Sequence, residues 1–372
     1  MLRNKIYINF IKEILQTFFA ILLGLTLITL TVRAVSFLDL IVENSYPINI
    51  YFKYSFLNLF GIAPKFIPFS FLLALTIFIN KHLNNSEFLI LWSAGVKKIT
   101  LVNLFLTISV IILILNLILS TIISPYMLNK SRLLLSNDSI NSILPAVKKQ
   151  QFSDTFKGLT LIVNDKKVNE IKNIFIFDNG ENLKNLSPNI NTSSTTTIIA
   201  KNGYVDKTRL MLFEGQIISS KKNENKNEII NFEQFNLDLK NLNTSAIKKP
   251  KLQETATYKL ISCFLSIEKN KFCNESAKKE MVTTLNRRMV MPFYIPVIAL
   301  LCSLLLINKK YKSFNTILVF SYSFIILLFT EMTVRYTGIN HFLKSFFMLS
   351  PIILTSLIYF YLNFKFLRET DN

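Results

Sequence analysis

The chain has 372 residues, 51% of them hydrophobic, and a mean hydropathy of +0.38 that excludes an ordinary soluble protein, in which polar surface must cover one core. Lys and Arg outnumber Asp and Glu by 42 to 23, for a formal charge of +19, yet many lysines lie among asparagines and isoleucines, a bias of the whole chain that argues against a nucleic-acid stripe. Three cysteines and two histidines are too sparse for a structural zinc or haem centre.

A hydrocarbon core about 30 Å thick is crossed by roughly 20 helical residues, and six apolar stretches are that long: about 14–36, 56–79, 100–123, 290–307, 315–334 and 346–364. The uncharged part of the first, Ile14 to Val32, outruns a signal-peptide core and closes without a small-x-small cleavage site, so it reads as a retained span. Arg33, near its far end, is either a snorkelling anchor or a cation facing phosphate headgroups. Between the second and third spans, Asn84 to Lys98 predicts a short helix: Asn85 or Ser86 caps it, Glu87 favours its positive end and Gly95 stops it. Its apolar side, Phe88, Leu89, Leu91 and Trp92, is too short to span, and it either lies on the lipid surface or docks in a partner's groove. Asn103 and Asn116 in the third span read as amides bonding to neighbouring helices.

From residue 124 to 254 the period changes. Gly158–Val163, Ile174–Phe177, Thr197–Ala200, Leu210–Phe213 and Ile229–Phe235 are short, β-branched and aromatic, and Asp178-Asn-Gly180, Asn202-Gly203 and Glu214-Gly215 read as turns between them. Such spacing predicts a sandwich or half-open roll, with loops at 183–196 and 221–228. Thr255 to Leu285 reads as a polar helical connector. Within it Cys263 and Cys273 are either a disulfide in an oxidising compartment or two free thiols, and Cys302 is a packing residue in an apolar run. In the fifth span Glu331 and Arg335 are spaced to neutralise each other along one helix.

Orientation follows from lysine and arginine at span ends. Arg3, Lys5 and Lys12, then Lys81, Lys97 and Lys98, then Lys309, Lys310 and Lys312, then Lys365 and Arg368 all fall on one side, which places both termini in the cytoplasm and residues 124–288 outside it. None of the eight glycines precedes a lysine, so a Gly-x-x-x-x-Gly-Lys-[Ser/Thr] phosphate cradle is absent from the sequence. His82 and His341 fall on opposite sides and no carboxylate pair lies within a span, which disfavours a membrane-anchored enzyme.

Ser86-Glu87 followed by Ala94-Gly95-Val96 resembles a conserved element of the LptF/LptG (YjgP/YjgQ) permeases of the lipopolysaccharide exporter. Arg33 with Phe37-Leu-Asp-Leu-Ile-Val42, Pro64 to Pro68, Ser124-Pro125, Thr197-Ile-Ile-Ala-Lys-Asn-Gly203 and Leu285-Asn-Arg-Arg288 with Pro292 extend the likeness in order along the chain, closer to LptF than to LptG; Ser93 and Thr284 depart from the pattern. The resemblance implies an α-helical polytopic inner-membrane protein with six spanning helices and an inserted periplasmic all-β jelly-roll-like domain. Its parts are then 1–123 with a coupling helix at 84–98, 124–254 as the β domain, 255–288 as connector and 289–372 as the last three spans.

By the same resemblance Ser86, Glu87, Phe88, Leu91, Trp92, Ala94 and Gly95 meet a cytoplasmic LptB-like ATPase dimer, while Arg33, Arg287, Arg288 and Arg335 meet substrate. Further partners are a homologous permease, an LptC-like membrane-anchored protein, a periplasmic jelly-roll bridge protein and lipopolysaccharide. The chain itself holds no cofactor or metal and is not catalytic, since ATP is hydrolysed by the ATPase subunit. The alternative is a membrane-anchored scaffold or sensor of envelope assembly without transport activity.

Overall fold

The computed structural model describes residues 2–38, 48–141, 149–156, 158–167, 169–179, 194–205, 209–221, 227–238, 251–265, 275–307, 312–339 and 341–370. The expected loops at 183–196 and 221–228, the residues Asp39 to Val42, Gly180, Lys309 and Lys310, and Cys273 lie wholly or partly outside this set. The chain divides into two compact units, one of Met1–Val32, Leu57–Asn129 and Lys251–Asn372, the other of Arg33–Phe56 and Lys130–Pro250.

Helices dominate the first unit. In chain order they are α1 (Leu2–Phe37), α2 (Ile48–Asn84), the short α3 (Glu87–Ser93) and α4 (Lys98–Ile118), which runs through a π-helical turn at Leu119–Ile123 into α5 (Ser124–Asn141). After the inserted strands come α6 (Thr257–Phe264) and α7 (Glu275–Met289), a tight turn at Met291–Phe293, then α8 (Tyr294–Ser303), α9 (Lys312–Tyr336) and α10 (His341–Thr370). Six of the helical stretches are long and apolar enough to cross a membrane, at the positions expected. Several continue well beyond their apolar runs: α2 has 37 residues, about 55 Å at 1.5 Å per residue. Residues 48–55 contain no Gly or Pro to stop the hydrogen-bond ladder, so a segment expected as loop is helical.

Phe18, Phe71, Leu75, Phe105, Ile298 and Leu362 join α1, α2, α4, α8 and α10 in one apolar core. Leu23, Ile114 and Phe360 instead leave 58%, 51% and 73% of their surface uncovered, an arrangement that water disfavours and lipid accepts. The polar connector is two helices, α6 and α7, rather than one.

In the second unit six strands form one antiparallel sheet in sequence order: β1 (Ser153–Phe156), β2 (Leu159–Lys167), β3 (Glu170–Asp178), β4 (Ser194–Val205), β5 (Arg209–Lys221) and β6 (Asn227–Asp238). The strand-built insertion matches expectation, but Ser124–Asn141, expected as the start of the β domain, is the helix α5, and among the described residues the strand order is a plain meander without the crossovers of a closed jelly roll. Four residues at 153–156 were too few to signal β1 in the sequence.

Asn202-Gly203 and Glu214-Gly215 are not turns; they lie inside β4 and β5. A Cβ on Gly203 would meet Ile174 at 2.5 Å, and one on Gly215 would meet the Ile199 carbonyl at 2.3 Å, so these glycines mark close approach between strands. Pairing lapses along one line, at Asn164/Asn173, Asn173/Lys201, Lys201/Glu214 and Glu214/Glu233, with no shift of register. Asn173 and Glu214 on that line have φ of 51°. The line also switches which residues face inward, from Ile171 to Ile174 and Ile176 in β3, and from Leu210 and Leu212 to Ile217 in β5. In β3, β4 and β5 both halves of the strand thereby bury apolar side chains in the same core, which Leu161 and Val163 of β2 help complete.

Candidate functional site

The short helix α3 is held at both ends by its own sequence. Ser86 occupies the N-cap position, but in the left-handed region (φ 62°), and its hydroxyl makes no capping bond, so the expected side-chain cap is not how the helix starts. At the other end Gly95, at φ 87°, lets its own N–H donate to the Trp92 carbonyl and the Val96 N–H to the Leu91 carbonyl at 3.0 Å. This double closure terminates the helix as the glycine predicts.

What seats α3 was not apparent from the sequence. The Glu87 carboxylate lies 2.6 Å from His82 Nδ1 and accepts from Asn85 Nδ2 at 3.3 Å. On the other edge of the ring, His82 Nε2 lies 3.1 Å from Glu13, whose second oxygen takes Lys81 Nζ at 2.6 Å. An ionised carboxylate only accepts, so the imidazole satisfies both neighbours at once when both nitrogens carry protons. The ring is 3% exposed and packed among Phe10, Phe78 and Phe88, with centroids 5.0, 4.2 and 5.4 Å away. Burial pushes the Glu87 carboxyl up, but the bonds from His82 and Asn85 outweigh it and leave the group below its usual range. Glu87 from α3, His82 and Lys81 from α2 and Glu13 from α1 thus form one chain of contacts. Only the five-residue spacing of His82 and Glu87 was visible locally; Glu13 is remote in sequence.

The expected docking residues divide into two sets. Phe88 is fully buried, and Leu91 and Trp92 pack against the core, so these three anchor α3 rather than present it. Lys98 Nζ lies 4.9 Å from the centre of the Trp92 ring. Leu89 and Ile90 are exposed by 46% and 66%, and with exposed Ser86, Ser93, Ala94 and Gly95 they form the open face. The face left open is therefore the side opposite Phe88, and it includes Ile90, which the sequence alone does not single out.

The four candidate arginines do not share a role. Arg288 is 7% exposed and spent on the connector: Nη1 donates to the Thr255 carbonyl and Thr257 Oγ1 at 2.9 and 3.0 Å, Nη2 to the Leu252 and Gln253 carbonyls at 3.1 and 2.8 Å. Thr257 in turn donates to the Thr121 carbonyl at 2.6 Å within the π-helical turn, and Ser120 donates to the Arg288 carbonyl at 2.9 Å. A fork so occupied positions residues 251–257 and leaves only Nε–H beyond these four bonds. Arg287 pairs with Glu331 at 2.5 Å, which overturns the expected Glu331–Arg335 pairing along α9. Arg33 and Arg335 are exposed, on different units. Asn103 accepts from Tyr359 at 3.2 Å, tying α4 to α10 as expected of an intramembrane amide, whereas Asn116 Oδ1 is buried without a partner. Cys263 is disulfide-bonded and Cys302 is a buried free thiol.

A six-span helical protein with a strand insertion and a short exposed helix between its second and third spans matches the family model for the lipopolysaccharide export system permease LptF/LptG over residues 9–364. The chain belongs to this family. The match runs from α1 to α10 and does not separate LptF from LptG; comparison with curated proteins finds no match. As an LptF/LptG member it is a multi-pass membrane protein and a transporter permease subunit of the lipopolysaccharide export system, in which it acts with other Lpt proteins.

Proposed function

We propose that the chain is the non-catalytic half of an ATP-driven extractor in the inner membrane, taking lipopolysaccharide from the bilayer and passing it to a periplasmic bridge protein. Its partners in this reading are a cytoplasmic ATPase dimer, a second LptF/LptG permease and an LptC-like anchored protein. The observation that carries the reading is α3. Its anchor residues are buried, its termination is fixed, and its outward face of Leu89, Ile90 and Ala94 is left uncovered on a segment too short to enter the bilayer. The network from Glu87 through His82 to Glu13 links that face to α1 and α2, so a push on α3 reaches two spanning helices.

The placement of lysines and arginines beside the spans supports cytoplasmic termini, and the disulfide at Cys263 supports an oxidising compartment for the connector and strands. The antiparallel sheet, whose outer strands β1 and β6 end the meander, supports onward transfer by edge-strand addition to a similar sheet. Reconstitution tests the reading. Proteoliposomes holding this chain, the second permease and the ATPase should release lipopolysaccharide to a soluble acceptor only with ATP, and vesicles without this chain should not. Equal release without the chain would contradict it.

A further inference from the structure

We propose that a cavity among α2, α4, α7 and α9 is a lipid site that takes a phosphate-bearing headgroup carrying hydroxyl or amine donors. The cavity encloses about 350 Å³, enough for a headgroup and the first carbons of a chain. It lies within the helical unit and differs from the open face of α3, and the proposal stands whether or not the export reading does.

Two unsatisfied polar atoms point to an occupant. Asn116 is 4% exposed and lines the cavity, and its Oδ1 is an acceptor with no partner. Arg287 also lines it, and its Nε is a buried donor with no partner, because the contact to Glu331 uses Nη2. Groups left this way are costly, and more so where no bulk water reaches them. Pro64 and Pro68 line the same wall, and the Pro64 carbonyl loses its intrahelical donor because residue 68 is itself a proline. Orphan acceptors call for hydroxyl or amine hydrogens, and the orphan guanidinium donor calls for an anionic oxygen.

Charge and access narrow the class. Lys65 and Arg287 line the cavity against one carboxylate, Glu331, and the positive charge of Arg288, whose fork is held by the connector, adds to a lining that favours an anionic group. Lys65 and Leu328 are exposed rim residues, and Leu328 lies on α9 beside exposed Ile325 and Phe329. The mouth therefore opens on a face built for lipid, and an amphiphile reaches it sideways. Phe69 and Phe324, with centroids 5.6 Å apart, and Leu327 supply the apolar wall for its chain.

The experiment uses the full chain in nanodiscs of phosphatidylcholine, whose headgroup has phosphate but no hydroxyl or amine hydrogen. Trace chain-spin-labelled phosphatidylethanolamine, phosphatidylglycerol or phosphatidylcholine is added, and the immobilised spectral component is measured. The first two labels should be immobilised about tenfold more tightly than the third, the worth of one well-made buried hydrogen bond. Asn116→Leu and the rim variant Leu328→Trp, which alters an exposed position and leaves the core intact, should each lower that preference several-fold at an unchanged thermal midpoint. Unlabelled lipopolysaccharide distinguishes the sources: displacement identifies the exported glycolipid as the occupant, and no displacement identifies a resident phospholipid. Equal immobilisation of all three labels, or an unaltered preference in both variants, would overturn the proposal and leave a water-filled cavity.

Discussion

Replacing His82 with Ala leaves two carboxylates, Glu13 and Glu87, without the ring that separates them, and opens a hole among Phe10, Phe78 and Phe88. The expected loss is about 2–4 kcal/mol, from the missing charge-assisted bonds and the cavity together. Trp92 is the one tryptophan in the chain and stacks 6.1 Å from Phe88, so its emission reports the seating of α3. His82→Ala should red-shift that emission, and Arg335→Ala should not. The Glu87 carboxyl is depressed in the folded protein, so the stability it contributes is complete above its ordinary value of 4.5 and lost as pH falls through the lower folded value. Tryptophan emission should accordingly be flat with respect to Glu87 from pH 7 to about 5, then shift on further acidification, and Glu87→Gln should shrink that acid step to the part contributed by Glu13, whose carboxyl, despite burial, Lys81 and His82 also hold below its usual range. Arg288 makes the complementary case. Lys cannot reproduce its fork to four acceptors, so Arg288→Lys should lower the thermal midpoint nearly as much as Arg288→Ala, a result that a headgroup-binding role would not give.

Among the elements, α3 and the sheet each depend on a glycine for a different reason. Gly95→Ala forces a Cβ into φ 87° with nothing within 4 Å to clash, so its cost is backbone strain of about 1 kcal/mol. The expected outcome is a frayed α3 end and weaker ATPase retention in an intact protein. Gly215→Ala places a Cβ 2.3 Å from the Ile199 carbonyl and 2.4 Å from the Phe232 ring, so β4, β5 and β6 cannot all keep their spacing. Limited proteolysis should cut the strand region of that variant first and spare the spans.

These glycines also mark where sequence reading ran out. Hydropathy located six spans because lipid selects on apolar length alone, and the alternation of Leu159, Leu161 and Val163 located β2 because one face is buried. A strand glycine and a turn glycine look alike in one dimension, so Gly203 and Gly215 read as turns from sequence alone. Glu331 was matched to Arg335 because helical periodicity shows only neighbours one turn away, while its partner Arg287 arrives from another helix. Glu13 and His82 were missed on the same ground.

The whole molecule comprises a lipid-facing helical unit and a sheet unit, and the proposed export role adds a motor on another polypeptide that meets α3. The proposed export role needs the strands to be reachable from the periplasm and α3 from the cytoplasm. Cysteine introduced at Glu228 or at Ile90, in a background without the native thiols, should react with an impermeant maleimide from the periplasmic and the cytoplasmic side respectively. The most direct measurement of the central claim is made on the Leu89→Asp, Ile90→Asp double variant, which charges the open face of α3 and leaves its buried side untouched. In mild detergent the variant should keep its thermal midpoint and the second permease, lose the ATPase by about tenfold or more, and lose ATP-dependent lipopolysaccharide release in parallel. Undiminished ATPase retention by the folded variant would contradict the account.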